Sequence, residues 1–309
     1  MSDQETAQTP ELAPTQRVSD EPQVVEGRTS WDDTRFYINK VLFWLLVAAI
    51  AIYTMAPFAY AISISFRTNA QVLTSARYLP EDPQLTNYQN LLGDSGFMNT
   101  MVNSAIVSTV SVTISLIVGS FAAYALGRVR FRGRMVILYL VLAMTMFPQI
   151  SILSGLFSIV NSLDINGSVV ALIFSYPIFT LPFTVWVLTS FFQGLPAEIE
   201  QAALVDGATA FQTFWRILVP LTAPALVTTG LLAFIAAWNE YLFALTFTLV
   251  DPGSQTVPVA IANFSGFSFE IPIADKIAAA VVVTVPLLIL VLIFQRRIIE
   301  GLTAGAVKG

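Results

Sequence analysis

The most constraining feature of the chain is a set of long stretches without a single charged side chain: residues 41–66, 95–127, 135–163, 165–197, 217–239 and 277–295. A helix needs about 20 mostly apolar residues to cross the hydrocarbon of a bilayer. In lipid each backbone N–H and C=O must be satisfied inside the segment, so runs of this length are expected to be α-helical. Charged residues make up only 11% of the sequence against 55% hydrophobic, too little charge to cover a soluble domain of this size. The expectation is an all-α polytopic membrane protein with six transmembrane helices. Some runs exceed what the hydrocarbon requires, so their ends are expected to lie in the interface or turn along it.

What is missing removes whole classes of chemistry. The sequence has no Cys and no His, which excludes disulfides, thiolate or imidazole metal sites, and Ser-His-Asp or Cys-His catalysis. It has no G-x-x-x-x-G-K-[ST] loop to cradle ATP. No catalytic residue and no metal site is expected, and the chain is not expected to be an enzyme.

Residues 1–35 are polar and punctuated by proline, with eight acids in the first 33 residues. Such a segment buries too little surface to order itself, and a disordered tail is expected. The first apolar run starts only at Val41, so a cleaved signal peptide is not expected. Six spans place both termini on one side, and Lys and Arg choose the side. With the N-terminus inside, twelve basic residues fall on the inner face and only Arg67, Arg77 and Lys276 on the outer. Arg128, Arg130, Arg132 and Arg134 sit together in one short inner loop. Both termini are therefore expected in the cytoplasm. Residues 36–300 form the membrane domain, interrupted by a cytoplasmic loop at 195–220, and 301–309 form a C-terminal tail.

That loop, "EIEQAALVDGATAFQTFWRILVP" at 198–220, is short, partly charged and centred on alanine. Pro196 and the acids at 198 and 200 suit the first turn of a helix. Ile199, Ala202, Ala203 and Asp206 recur at i, i+3, i+4 and i+7, and are expected on one face where small side chains let another surface approach. Gly207 can take φ > 0 and end the helix. Phe211, Phe214, Trp215 and Leu218 are expected to pack a second arm against the membrane helices. On these properties alone an amphipathic helix lying on the headgroups is an equal reading.

The spacing points further. Ala202-Ala203, three residues, Gly207, nine residues, Ile217, one residue and Val219-Pro220 resembles the E-A-A-x3-G-x9-I-x-L-P loop of ATP-binding-cassette (ABC) importer permeases. Gln201 stands where that loop has glutamate, with Glu200 beside it, and Val219 replaces leucine. "AISISFRTN", "MFPQISI", "FIAAWNEYLFALT" and "QRRIIEGLTAGAVKG" resemble carbohydrate-uptake permeases. The likeness is to the second permease subunit of the maltose and trehalose type, most of all to mycobacterial trehalose-importer permeases.

The resemblance implies the type I importer permease fold and a role in translocating a di- or oligosaccharide, with a trehalose- or maltose-like α-glucoside favoured. It implies four partner subunits: a homologous second permease, two ATP-binding subunits that hold ATP and Mg, and an extracellular or periplasmic sugar-binding protein. It makes the loop a coupling helix docking the ATPase through Glu200, Gln201, Ala202, Ala203, Asp206 and Gly207. It assigns the C-terminal residues Gly301, Leu302, Thr303 and Lys308 to the ATPase interface. It assigns the loop at 251–276, around Asn263, Phe264, Ser265 and Gly266, to contact with the binding protein. The implied location is a prokaryotic inner membrane.

Glu240 is the only charged residue between 217 and 250, and a carboxylate within a membrane segment is a functional candidate by default. Counting about 1.5 Å per residue from Leu221 puts it about 28 Å up, near the outer boundary. Together with Trp238, Asn239 and Tyr241 it can offer acceptors and a stacking face to a sugar, or serve as a structural pair. The competing function is an ion-coupled secondary transporter, for which a single acid near one edge is poor equipment.

Overall fold

The structure is a computed structural model that describes residues 30–75, 77–264 and 272–306, with side-chain surroundings given between 36 and 298. The chain divides into two compact units, residues 1–56 and 57–309. Within the first unit, positions 36–56 are helical and exposed along their whole length.

All regular elements among the described residues are helical. They are α1 (Ser30–Ser65), α2 (Asn69–Thr74), α3 (Thr86–Gly93), α4 (Ser95–Arg128), α5 (Arg134–Thr145), α6 (Gln149–Ser162), α7 (Val169–Ser175) and α8 (Pro177–Gly194). Then come α9 (Ala197–Val205), α10 (Ala210–Thr213), a π-helical turn (Phe214–Leu218), α11 (Val219–Leu221) and α12 (Ala223–Trp238). The chain finishes with α13 (Leu242–Thr248), a 3₁₀ turn (Pro252–Ser254), α14 (Val257–Asn263) and α15 (Ile273–Ala306).

Against the expectation of six spans, four helices among the described residues are long and apolar enough to cross a membrane, at Phe36–Ser65, Ser95–Arg128, Val169–Gly194 and Ile273–Ile298. Two further candidates are broken helix pairs, α5 with α6 bent by 95°, and α10–α11 with α12 bent by 74°. Proline explains both breaks. Pro148 stands in extended geometry at the start of α6, and the residue before a proline is driven out of the helical region. In the second pair Pro220 and Pro224 remove the N–H groups that the carbonyls four residues earlier would use, and the π turn lies just before them. By contrast, Pro57, Pro182 and Pro286 are carried inside helices, and Pro177 occupies the first turn of α8.

α4 is the axis of the second unit, packed along α8 and α12, with α15 on the other side of α12. Its buried face is a stripe of small residues, Ser104, Ser108, Ser111, Ser115, Gly119 and Ala123. Between helices in lipid the hydrophobic effect gives little attraction, so close backbone approach and interhelical hydrogen bonds take over. Ser115 Oγ lies 2.7 Å from Thr180 Oγ1 on α8. At Gly119 the approach is so close that an added Cβ would lie 2.7 Å from Thr184 Cγ2. Buried clusters thicken this axis. Phe192, Phe214 and Leu218 form one around the C-terminal end of α4. Leu91, Phe97 and Trp238 form another at its N-terminal end.

Candidate functional site

α9 begins where α8 stops. Leu195 and Pro196 are extended, and Glu198 and Glu200 fill the first turn of the new helix, where the positive end of the helix dipole favours acids. The other end is closed by a Schellman motif: Ala208 N–H donates to Ala203 O at 2.9 Å and Gly207 N–H to Leu204 O at 3.1 Å. This closure needs a residue at positive φ, and Gly207 sits at φ +79°. The second arm starts with a capping box, in which Thr209 N–H donates to Gln212 Oε1 at 2.9 Å and Gln212 N–H to Thr209 Oγ1 at 3.3 Å. The result is a helical hairpin whose corner is the four residues 206–209.

Ile199, Ala202, Ala203 and Asp206, expected on one face, differ in how far the chain itself covers them. Ile199 packs against the Phe192–Phe214–Leu218 cluster, and Ala203 is buried. Gln201, Ala202, Leu204, Val205 and Asp206 are exposed. The second arm also divides: Phe214 and Leu218 are buried, whereas Phe211 and Trp215 are exposed.

Glu200 also points inward. Its Oε1 accepts a hydrogen bond from Arg128 Nε at 3.0 Å in a partly shielded ion pair. Arg128 NH1 donates to Leu195 O at 2.8 Å, and NH2 donates to Pro196 O at 3.3 Å. The sequence marked Arg128 only as one member of a basic cluster. Its partner lies 72 positions away, and no local spacing rule connects the two. Glu198 and Gln201 on α9, with Asp206 at its C-cap, then remain as the exposed polar residues of this segment.

The other candidate residues fall apart into separate roles. Glu240 and Trp238 are buried, while Asn239 and Tyr241 are exposed. The Glu240 carboxylate accepts the N–H groups of Phe243 at 2.8 Å and Ala244 at 3.0 Å, so it caps the start of α13. Asn239 Nδ2 donates to Ile235 O at 2.8 Å within its own helix.

Within the stretch at 251–276, the described residues 251–264 carry a 3₁₀ turn and α14. Asn103 Nδ2 donates to the carbonyls of Gly253 and Gln255 at 2.8 and 3.0 Å, and Val257 N–H donates to Ser104 Oγ at 2.8 Å. These bonds seat α14 on the N-terminal end of α4. Asn263 ends α14 exposed, and Phe264 packs half-buried against the cluster there. Ser265 and Gly266 lie outside the described residues. Gly301, Leu302 and Thr303 belong to the helical backbone of α15, and Lys308 lies outside the described residues. Among the described residues no group of three or more Asp or Glu is placed to hold a metal ion.

Comparison with known proteins bears on residues 91–303, which match the model of the family described as "Binding-protein-dependent transport system inner membrane component". The chain is 40% identical over 274 residues to the trehalose/maltose transport system permease protein MalG of Thermococcus litoralis, covering 88% of this chain and 98% of that one. It is 38% identical over 273 residues to the trehalose transport system permease protein SugB of Mycobacterium tuberculosis, covering 88% and 99%. It is 36% identical over 276 residues to the sulfoquinovosyl glycerol transport system permease protein SmoH of Agrobacterium fabrum, covering 89% and 96%. Among solved structures, a bacterial ABC transporter that imports the polysaccharide alginate shares the fold, with a TM-score of 0.71 at 23% identity over 84% of this chain and 96% of that chain.

Proposed function

The chain belongs to the binding-protein-dependent transport system inner membrane components, and from that premise we propose that it translocates a trehalose- or maltose-like saccharide delivered by an extracellular binding protein. It is the permease subunit of an ABC sugar importer and not an enzyme; ATP is hydrolysed on a separate subunit. In this reading it pairs with a homologous permease and two ATP-binding subunits. α1, α4, the bent pair α5–α6, α7–α8, the bent pair α10–α12 and α15 serve as six spans, with both termini in the cytoplasm. The α9 hairpin is the part the ATPase grips, through Gln201, Ala202, Leu204, Val205 and Asp206. The C-terminal residues from Gly301 onward lie close to the ATPase, and α14 with Asn263 and Phe264 meets the binding protein.

One observation carries the reading. α9 packs a half-buried Ile199 against its own chain and buries Ala203, yet leaves Leu204 and Val205 exposed at 59% and 86%. A rigid helix rooted on one side and apolar on the other can convert closure of a docked motor into a push on the spans. The favoured sugar is supported by the names of the relatives at 40% and 38% identity.

The test is purification of a tagged copy from native membranes in mild detergent, followed by mass spectrometry and uptake in proteoliposomes. A second permease, an ATPase and a binding protein should accompany it, and uptake of labelled trehalose or maltose should require ATP inside the assay's ATPase compartment. Sugar or ion flux by this chain alone, without ATP, would instead establish a secondary transporter.

A further inference from the structure

The Arg128 guanidinium joins three elements. It stands in the last turn of α4, accepts nothing, and donates to four oxygens: Glu200 Oε1 at 3.0 Å, Leu195 O at 2.8 Å, Pro196 O at 3.3 Å and Phe192 O at 3.5 Å. Phe192 and Leu195 lie at the end of α8, where carbonyls lack helical partners and the dipole is negative. Pro196 is the linker into α9, and Glu200 is in its first turn. Both side chains are shielded, at 10% and 23% exposure for Arg128 and Glu200, so solvent screens the pair much less than a surface ion pair.

The linker Leu195-Pro196 is the only covalent connection from α8 to α9, and its extended backbone makes no side-chain cap for the new helix. Without a brace, α9 would pivot there. Arg128 supplies the brace from a third element, α4, the helix packed most extensively against α8. The planar fork can address several acceptors at fixed angles, whereas an ammonium is a single point charge.

We infer that Arg128 and Glu200 form a strut that makes α9 move as one body with α4 and α8. They are positioning residues: motor displacement at α9 reaches the spans only while the strut holds, and Glu200 does not itself touch the ATPase. The inference rests on the proposed docking role of α9.

The experiment uses the full transporter in proteoliposomes with its binding protein, comparing wild type with Arg128→Lys, Glu200→Gln and the double variant. Three readings are taken: ATPase co-purified per permease, ATP hydrolysed, and sugar imported. The wild type must show ATP-dependent uptake and bound ATPase; if it does not, the docking reading fails independently of the strut. With a sound wild type, each single variant is expected to keep its ATPase and hydrolysis while uptake falls about tenfold, raising ATP consumed per sugar. The double variant should be no worse than the singles, as coupled residues are non-additive. Unchanged ATP per sugar in both single variants overturns the strut. So does loss of ATPase from Glu200→Gln, which would make Glu200 a docking residue. Because Glu200→Gln is nearly isosteric, it keeps the test decisive where Arg128→Lys inserts poorly.

Discussion

The Glu240 carboxylate and the Phe243 backbone N–H stand 2.8 Å apart, with the N–H of Ala244 at 3.0 Å on the other oxygen. The one acid between 217 and 250 is thus spent on starting a helix. Glu240→Gln keeps the shape but offers one acceptor for two donors. It should destabilise the purified chain by about 1–2 kcal/mol, read as a lower melting temperature in detergent, with the sugar concentration for half-maximal uptake unchanged. A large rise in that concentration at unaltered stability would make Glu240 a sugar contact.

Gly119 supports the α4–α8 contact by having no side chain. A methyl there would stand 2.7 Å from Thr184 Cγ2 and 3.2 Å from Thr184 Cβ. Gly119→Val should cost about 1–3 kcal/mol through overpacking, and Thr184→Ala in the same chain should recover part of it. Thermal unfolding of the single and double variants checks both statements.

Gly207 meets a different constraint. Nothing lies within 4 Å of a Cβ added there, but φ is +79°, so substitution is limited by backbone strain rather than by space. Asn, which tolerates the left-handed region, should be accepted best. Ala should cost about 1–2 kcal/mol. Pro should abolish ATP-dependent uptake, because its φ is fixed near −65° and it removes the N–H that reaches Leu204 O. Equal uptake by all three variants would mean that the hairpin corner is not needed.

Ala202 and Ala203 are adjacent on α9, yet the first is exposed and the second buried. Ala203→Trp should lower stability by opening the hairpin, by about 1–3 kcal/mol. Ala202→Trp should leave stability within about 0.5 kcal/mol and still release the ATPase on co-purification. If both variants lose stability alike, the exposed face of α9 is not a separate docking surface.

Much of this architecture was legible in the sequence, because charge-free length and helical caps act locally. The charge-free runs overlap the four long apolar helices and the two bent pairs, and Gly207 sits at the positive φ its place in the motif allows. What was not legible depended on distance along the chain. The 95° and 74° bends need a neighbour to show which proline breaks a helix and which is absorbed, as the contrast between Pro148 and Pro182 shows. The Arg128–Glu200 pair spans 72 positions. Which alanine of α9 the chain itself covers is equally silent in the sequence. Alanine is compatible with a buried or an exposed position, and here Ala203 is buried while Ala202 is exposed.

The absence of cysteine from all 309 residues allows the most direct test of the central claim. Single cysteines placed at Val205 (86% exposed) and at Ala203 (5% exposed) can be treated with a short cross-linker in the assembled transporter, in native membranes. Val205→Cys should cross-link to the ATP-binding subunit, and Ala203→Cys should not. A Val205→Cys that stays uncross-linked beside a bound ATPase, and is instead shielded by lipid from water-soluble thiol reagents, would contradict the account and leave α9 as a helix lying on the membrane surface.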